Sequence, residues 1–292
     1  MMVMTIRKRV PCKSDILPCP NCDGAGKCDF SVQCGDFKPK IEGDLTTMSK
    51  KQRRYIENPK TKGSGVICCI PQEGVCPIGC ADCFFQSGRS YLEPLEDNLP
   101  NMPNLKMAKG RVVRVNDGND SNNKPYLVLL ATDSYVDKFY NTSVPENLEE
   151  FDAPVVLTVN PAENTDCAAV LVDPIPSNLM FVRARVNTWN LGLIDTIVDY
   201  YSSKEVPIIL TFMAYYTNTI KSGHEADYTY RQRTLNSYWV ITQEAWDRVM
   251  ARYTGNKWVY SCGKDANAFA CHRCGNCLRE YYATKERLRE VK

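Results

Sequence analysis

Cys76, Cys80 and Cys83 place three thiols at the spacing C-x3-C-x2-C, within Gly74-Val75-Cys76-Pro77-Ile78-Gly79-Cys80-Ala81-Asp82-Cys83-Phe84-Phe85. Thiolates are soft ligands that select zinc, copper or iron–sulfur clusters. A closed zinc site takes four protein ligands. Three thiols with no fourth nearby point instead to a four-iron cluster that keeps one iron open to a small molecule. A zinc site and a set of buried free cysteines are the alternatives. The preceding run, Gly65-Val66-Ile67-Cys68-Cys69-Ile70, reads as a buried strand. The thiols therefore leave a strand end, where α/β proteins gather their chemistry.

The chain has fifteen cysteines in 292 residues, and they fall in three groups with only Cys167 apart. The odd total and the absence of a secretory signal disfavour a disulfide framework and favour metal sites. In the N-terminal group, Cys19, Cys22, Cys28 and Cys34 supply four thiolates, with Gly24 and Gly26 allowing tight turns between them. Zinc is the expected occupant, a further iron–sulfur cluster its rival, and a loose arm of reactive thiols the bland reading. The C-terminal group, Cys262, Cys271, Cys274 and Cys277, packs four thiols into sixteen residues. Here a second [4Fe-4S] cluster is the first expectation and tetrahedral zinc the rival. Histidine is scarce, with only His224 and His272, so histidine-based acid–base or mononuclear metal chemistry has little support.

The net charge of +2 gives no strong field toward nucleic acid or membrane. The segment Met1–Arg7 lacks a signal-peptide core, no stretch is long enough to span a bilayer, and a cytoplasmic location follows as the default. Residues 37–64 read as a linker. Its run Lys50-Lys51-Gln52-Arg53-Arg54 is ordinarily a solvated face, with nucleic-acid contact the weaker reading.

Six strands are expected, at Gly65–Ile70, Gly110–Val115, Ala153–Asn160, Asn178–Asn187, Glu205–Met213 and Lys257–Tyr260. Helices are expected within 122–140, over Trp189–Ser202, over Tyr238–Tyr253 and over Leu278–Lys292, with a tyrosine-rich lid at 214–235. Strands separated by helices or long crossovers imply parallel pairing with right-handed connections. The expected fold class is α/β, a partial (β/α)6 barrel with cysteine-rich N- and C-terminal extensions. The segments are 1–63 (extension and linker), 64–261 (core) and 262–292 (C-terminal metal or cluster segment).

The spacing of Cys76, Cys80 and Cys83 resembles that of the radical S-adenosylmethionine (SAM) superfamily. The family usually carries an aromatic residue just before the third cysteine; here Asp82 stands there and Phe84 and Phe85 follow. The resemblance implies a [4Fe-4S] cluster on the three cysteines, with SAM chelated at the open iron. It also implies a partial barrel over about residues 64–262. The reduced cluster would cleave SAM, and the 5′-deoxyadenosyl radical would abstract a substrate hydrogen, with the protein placing and shielding the cofactor. By position, the turn Asn116-Asp117-Gly118-Asn119-Asp120 matches the family's SAM-amine motif, although not its wording. Asn187 and Asn190 match the place of ribose or substrate contacts. A reducing partner such as flavodoxin or ferredoxin is implied. A peptide or protein is the leading substrate expectation, RNA another, and a non-catalytic zinc-binding adaptor the alternative from a different class.

Overall fold

The computed structural model describes residues 55–80, 83, 85, 92, 100–160, 170–215, 220–232, 237–263, 266 and 271–290. Cys19, Cys22, Cys28, Cys34, the basic run Lys50–Arg54, Asp82, Phe84 and Cys167 lie outside them.

Seven strands form one parallel sheet: β1 (Val66–Cys69), β2 (Val112–Val115), β3 (Lys138–Thr142), β4 (Val155–Val159), β5 (Leu179–Val186), β6 (Ile208–Phe212) and, after an intervening hairpin, β9 (Val259–Ser261). Each strand pairs with the one before it in this series, from Val66 opposite Val112 at one edge to Ile208 opposite Val259 at the other. Sequential addition on one side curls a parallel sheet, and the result is a half-barrel that stops short of closing. The small antiparallel hairpin of β7 (Tyr228–Arg231) and β8 (Tyr238–Ile241) interrupts the series.

Both faces of the sheet are covered, which explains why its strands are apolar on both sides. The outer face carries Ile67, Val113, Val115, Leu157, Val182, Ala184, Ile208 and Leu210. Against it pack α2 (Pro125–Thr132), α3 (Leu191–Ser203) and α4 (Gln243–Ala251). In α3 the buried residues Ile194, Ile197, Val198 and Tyr201 recur at helical spacing, and each such burial contributes about 1.5–3 kcal/mol. Helix α4 begins where Thr242 accepts a hydrogen bond from the Ala245 amide. The inner face presents Val66, Val112, Phe139, Val156, Met180, Phe181 and Ile209. A C-terminal helix covers it, inserting Tyr281. This helix, α6 (Asn276–Glu290), follows the short α1 (Leu105–Ala108) and α5 (Cys271–Cys274) in the element count. Its Arg287 reaches the Leu179 carbonyl at 2.9 Å. Among the described residues, no helix is long and apolar enough to cross a membrane.

The partial barrel is as expected, with one strand more than the six read from sequence. The additional strand is β3, which begins inside the stretch 122–140, where a helix is expected, and runs past its end. Helix α2 stops at Thr132, whose hydroxyl bonds back to the Val128 carbonyl at 2.7 Å. All five residues of β3 are buried, yet three of them are Lys138, Asn141 and Thr142. Their polar atoms are individually satisfied. Lys138 pairs with Asp152 at 3.0 Å, and Asn141 donates to the Val115 carbonyl at 2.8 Å. The helix expected over Tyr238–Tyr253 also starts later, because Tyr238–Ile241 forms β8 against β7. The stretch 214–235, read as a lid, contributes β7 to that hairpin.

Candidate functional site

The loop leaving β1 is held by reciprocal amide–carbonyl bonds between Ile70 and Asn101, at 2.9 and 3.0 Å. It then turns through Gly74 and Gly79, both at positive φ, where a Cβ would be strained. Cys76, Cys80 and Cys83 along it are half-buried. Burial pushes the Cys76 thiol up to about 11, reinforced by Asp120, Cys80 and Cys83 and opposed by the Ile78 amide. Asp120, Cys80 and Cys83 thus lie within the electrostatic reach of Cys76. Cys80 Sγ is 3.9 Å from the Ser143 hydroxyl just beyond β3.

The turn after β2 is built onto this loop. Asn116, at φ 60, donates its amide to the Cys69 carbonyl at 2.7 Å, and its side-chain nitrogen donates to Ser121 at 3.1 Å. Its Oδ1 is buried without a partner, as are Asn119 Nδ2 and Gln72 Oε1. Gln72 Nε2 donates to the carbonyls of Asp120 (2.8 Å) and Asn123 (2.9 Å). The Asp120 carboxylate accepts from Thr142 (2.6 Å), from the Ser143 amide (2.6 Å) and hydroxyl (2.9 Å), and from the Asn122 amide (2.8 Å). Asp117 accepts from Asn58 at 2.9 Å. Gly118 lies under the ring of Phe85, where an added Cβ would meet ring carbons at 2.1 Å. The cysteine loop and the turn are therefore fitted to each other, through Phe85 and through the acid that ties β2 to β3.

Asn187 and Asn190 sit at the same end of the parallel sheet, after β5. Asn187 Oδ1 accepts from the amides of Trp189 (3.0 Å) and Asn190 (2.8 Å), and its Nδ2 donates to the Tyr215 hydroxyl at 2.8 Å. Asn190 returns a bond to the Asn187 amide at 3.0 Å and one to the Arg185 carbonyl at 3.2 Å. These two side chains form the turn that starts α3.

The C-terminal cysteines occupy a different setting. Cys262 extends the ladder beyond β9, donating its amide to the Leu210 carbonyl at 2.7 Å. The Cys271 amide bonds the Lys60 carbonyl at 2.9 Å, and Gly275, at φ 71, turns α5 into α6. Cys262 and Cys277 pack against the inner-face core. A hydrogen bond from Cys262 holds the Cys274 thiol below its usual range, helped by the Gly263 and Asn276 amides. Cys262 is correspondingly pushed up by the same bond and by burial. Burial also raises Cys271. His272 is exposed on α5.

Among the described residues, no group of three or more His, Cys, Asp or Glu side chains stands arranged to hold a metal ion. The cysteines are brought into two neighbourhoods without converging into ligand sets. The donor chemistry of the first neighbourhood nevertheless suits an iron–sulfur cluster and SAM. The β1 loop carries three soft thiol donors, and the β2 turn carries a buried orphan carbonyl, Asn116 Oδ1, able to accept from an ammonium. Sequence reasoning missed Gln72 and Ser143. Ser143 becomes visible only once β3 is recognised, and Gln72 carries no local signal. Comparison of the chain with protein-family models, with curated proteins and with solved structures found no match. The half-barrel itself is a scaffold suited to an enzyme in general, with its strand-end loops gathered on one rim.

Proposed function

We propose that the chain is a radical SAM iron–sulfur enzyme whose cofactor site is the rim formed by the β1 loop and the β2 turn. The observation that carries this reading is the mutual fit of those two segments: Cys76, Cys80 and Cys83 on one, Asn116 to Asp120 on the other, joined by Phe85 over Gly118. Bound there, a four-iron cluster and SAM would supply an electron and a 5′-deoxyadenosyl radical for hydrogen abstraction. The three thiols would hold the cluster. Asn116 Oδ1, buried and unpartnered, would accept from the SAM ammonium. Asp120 would position the rim by fixing Ser143 and Thr142. A small electron-carrier protein of the flavodoxin or ferredoxin kind would serve as reductant.

Anaerobic reconstitution with iron and sulfide tests this reading. The expected result is a reduced four-iron paramagnetic resonance signal that shifts on adding SAM, with 5′-deoxyadenosine formed under dithionite. Replacing Cys76, Cys80 and Cys83 with alanine should remove both. A full cluster that yields no 5′-deoxyadenosine, or a SAM-sensitive signal that survives the triple replacement, overturns it. A second reading, a non-catalytic zinc-binding adaptor, draws on the abundance of thiols outside the rim. Stoichiometric zinc at every cysteine group, with no iron or sulfide uptake, would favour it.

A further inference from the structure

The inner face of the sheet holds two buried guanidiniums, Arg114 and Arg183, of which Asp117 helps to compensate the first. Arg114 on β2 stands in register with Cys68 and Phe139, and Arg183 on β5 with Thr158 and Ile209. Phe139 and Ile209 both belong to the inner core, so both guanidiniums point into the half-barrel. Arg114 Nε is out of solvent and without a hydrogen-bond partner. Arg183 donates to neutral acceptors, Asn141 Oδ1 at 3.0 Å and Thr158 Oγ1 at 3.3 Å. Among the described residues neither forms a salt bridge, and the two repel each other. A buried cation is tolerated when an anion or dipoles compensate it and is strongly unfavourable otherwise.

The groups facing this pair are the C-terminal cysteines. Arg114 feels Cys68 and Asp117 most strongly, and after them Cys271 and Cys277. Arg183 lies within that of Cys277, Cys262 and Cys271. The fourth thiol, Cys274, is hydrogen-bonded to Cys262. As neutral thiols these groups offer the arginines almost nothing. As four thiolates around a divalent metal or a cluster, they carry net negative charge in the place where positive charge is buried.

We propose that Cys262, Cys271, Cys274 and Cys277 bind one thiolate-ligated metal centre on the inner face, and that Arg114 and Arg183 are positioning residues that compensate its charge. Soft, thiophilic occupants fit this set, namely zinc or an iron–sulfur cluster, and hard cations such as calcium or magnesium do not. The four sulfurs do not yet stand in ligating geometry. Binding closes them by swinging the short α5 about Gly275, while Cys262 stays fixed to β6 through the Leu210 carbonyl. Each thiol gives up its proton to solvent as its sulfur binds, and binding of a divalent ion or of a preassembled cluster requires no electron transfer. The proposal stands independently of the cofactor assigned to the rim.

The test uses the full chain with Cys19, Cys22, Cys28, Cys34, Cys76, Cys80 and Cys83 replaced by serine. Anaerobic titration with cobalt(II) alone should give about one bound ion with sulfur-to-cobalt charge-transfer absorption and tetrahedral ligand-field bands. A parallel arm with iron and sulfide, read by Mössbauer spectroscopy, separates a cluster site from a mononuclear one. Uptake in either arm supports the site, provided it is lost in Cys271→Ser and Cys277→Ser. Arg114→Gln and Arg183→Gln, checked for folding by circular dichroism, should each weaken cobalt binding by about tenfold, with lysine at the same position restoring part of it. Failure of both arms overturns the proposal, as does uptake that persists without Cys271 and Cys277. Unchanged affinity in folded glutamine variants overturns the role of the arginines.

Discussion

The rim and the inner face surround the same side chain with different charges. At the rim, burial disfavours the thiolate of Cys76, and Asp120, Cys80 and Cys83 add to it. On the inner face, burial raises Cys271, and the bond to Cys274 with burial raises Cys262, but Arg114 opposes the rise at the first and Arg183 at the second. Burial and Asp120 work against the thiolate of Cys76, so a cluster binding there must displace its proton. A cationic floor suits a site that holds a permanently negative centre. The difference arises from the sheet: the rim thiols ride on a loop beyond β1, whereas the inner thiols are pressed by α6 against residues of β2 and β5.

The largest effect that could break this contrast comes from removing thiols by group. Replacing Cys76, Cys80 and Cys83 with alanine should abolish the SAM-sensitive signal and leave metal at the C-terminal group. Replacing Cys271 and Cys277 should do the reverse. Iron, sulfide and zinc analysis of the two variants checks it. Loss of both centres in either variant would show that the two groups form one site.

Asp120 sharpens the rim side of the contrast. Asp120→Ala leaves Thr142, the Ser143 amide and the Asn122 amide without their acceptor. Buried donors stranded in this way should cost about 2–4 kcal/mol in urea unfolding. The same change removes a negative neighbour from Cys76. Alkylation of Cys76, followed by mass spectrometry, should rise with pH toward about 11 in the parent chain and at lower pH in the variant. An unchanged profile would mean that burial alone governs this thiol.

What could be read in advance follows the same physics. β1, β2, β4, β5 and β6 were visible because each is a short apolar run, and the thiols were visible by spacing. β3 was hidden because Lys138, Asn141 and Thr142 are buried through partners at Asp152, Val115 and Asp120, which only the folded register supplies. The hairpin was hidden for a different reason. Tyr238–Ile241 is continuous in sequence with the amphipathic start of α4, and its strand character depends on pairing with β7. At the site, Asn116 to Asp120 could be picked out as a turn, yet the seat of Phe85 on Gly118 could not. The same holds for the facing of Arg114 and Arg183 toward the C-terminal cysteines, since each relation joins segments far apart in the chain.

The Phe85–Gly118 seat gives a smaller and more local test. Gly118→Ala would push a Cβ into the Phe85 ring, and displacing that ring should cost about 1–3 kcal/mol. Cluster assembly at the rim should suffer with it. Phe85→Ala combined with Gly118→Ala removes the clash, so the double variant should lose less stability than the sum of the single changes. Additive losses in thermal unfolding would dissolve the link between loop and turn.

The smallest effect concerns how α6 is fastened, and it bears on the inner face alone. Asp137, just before β3, takes a charge-assisted bond from Lys285 and accepts from the Tyr281 hydroxyl at 3.0 Å. The Lys285 bond, first, and then Tyr281 hold its carboxyl below the usual carboxylate range. A depressed carboxylate contributes stability that is present above its unfolded value of about 3.9, and that is lost as pH falls through the lower folded value. The pair is partly open to water, with Asp137 39% exposed, so screening keeps its worth below about 1 kcal/mol. Asp137→Asn should therefore lower neutral-pH stability slightly and remove this contribution to acid sensitivity below about pH 4. Because α6 begins within the C-terminal cysteine group, a looser helix end should also weaken metal binding there by a small factor. The rim, which α6 does not carry, should keep its cluster and its response to SAM. Equal weakening of both sites in the asparagine variant would mean that α6 supports the whole half-barrel and that the two thiol groups are not separately held.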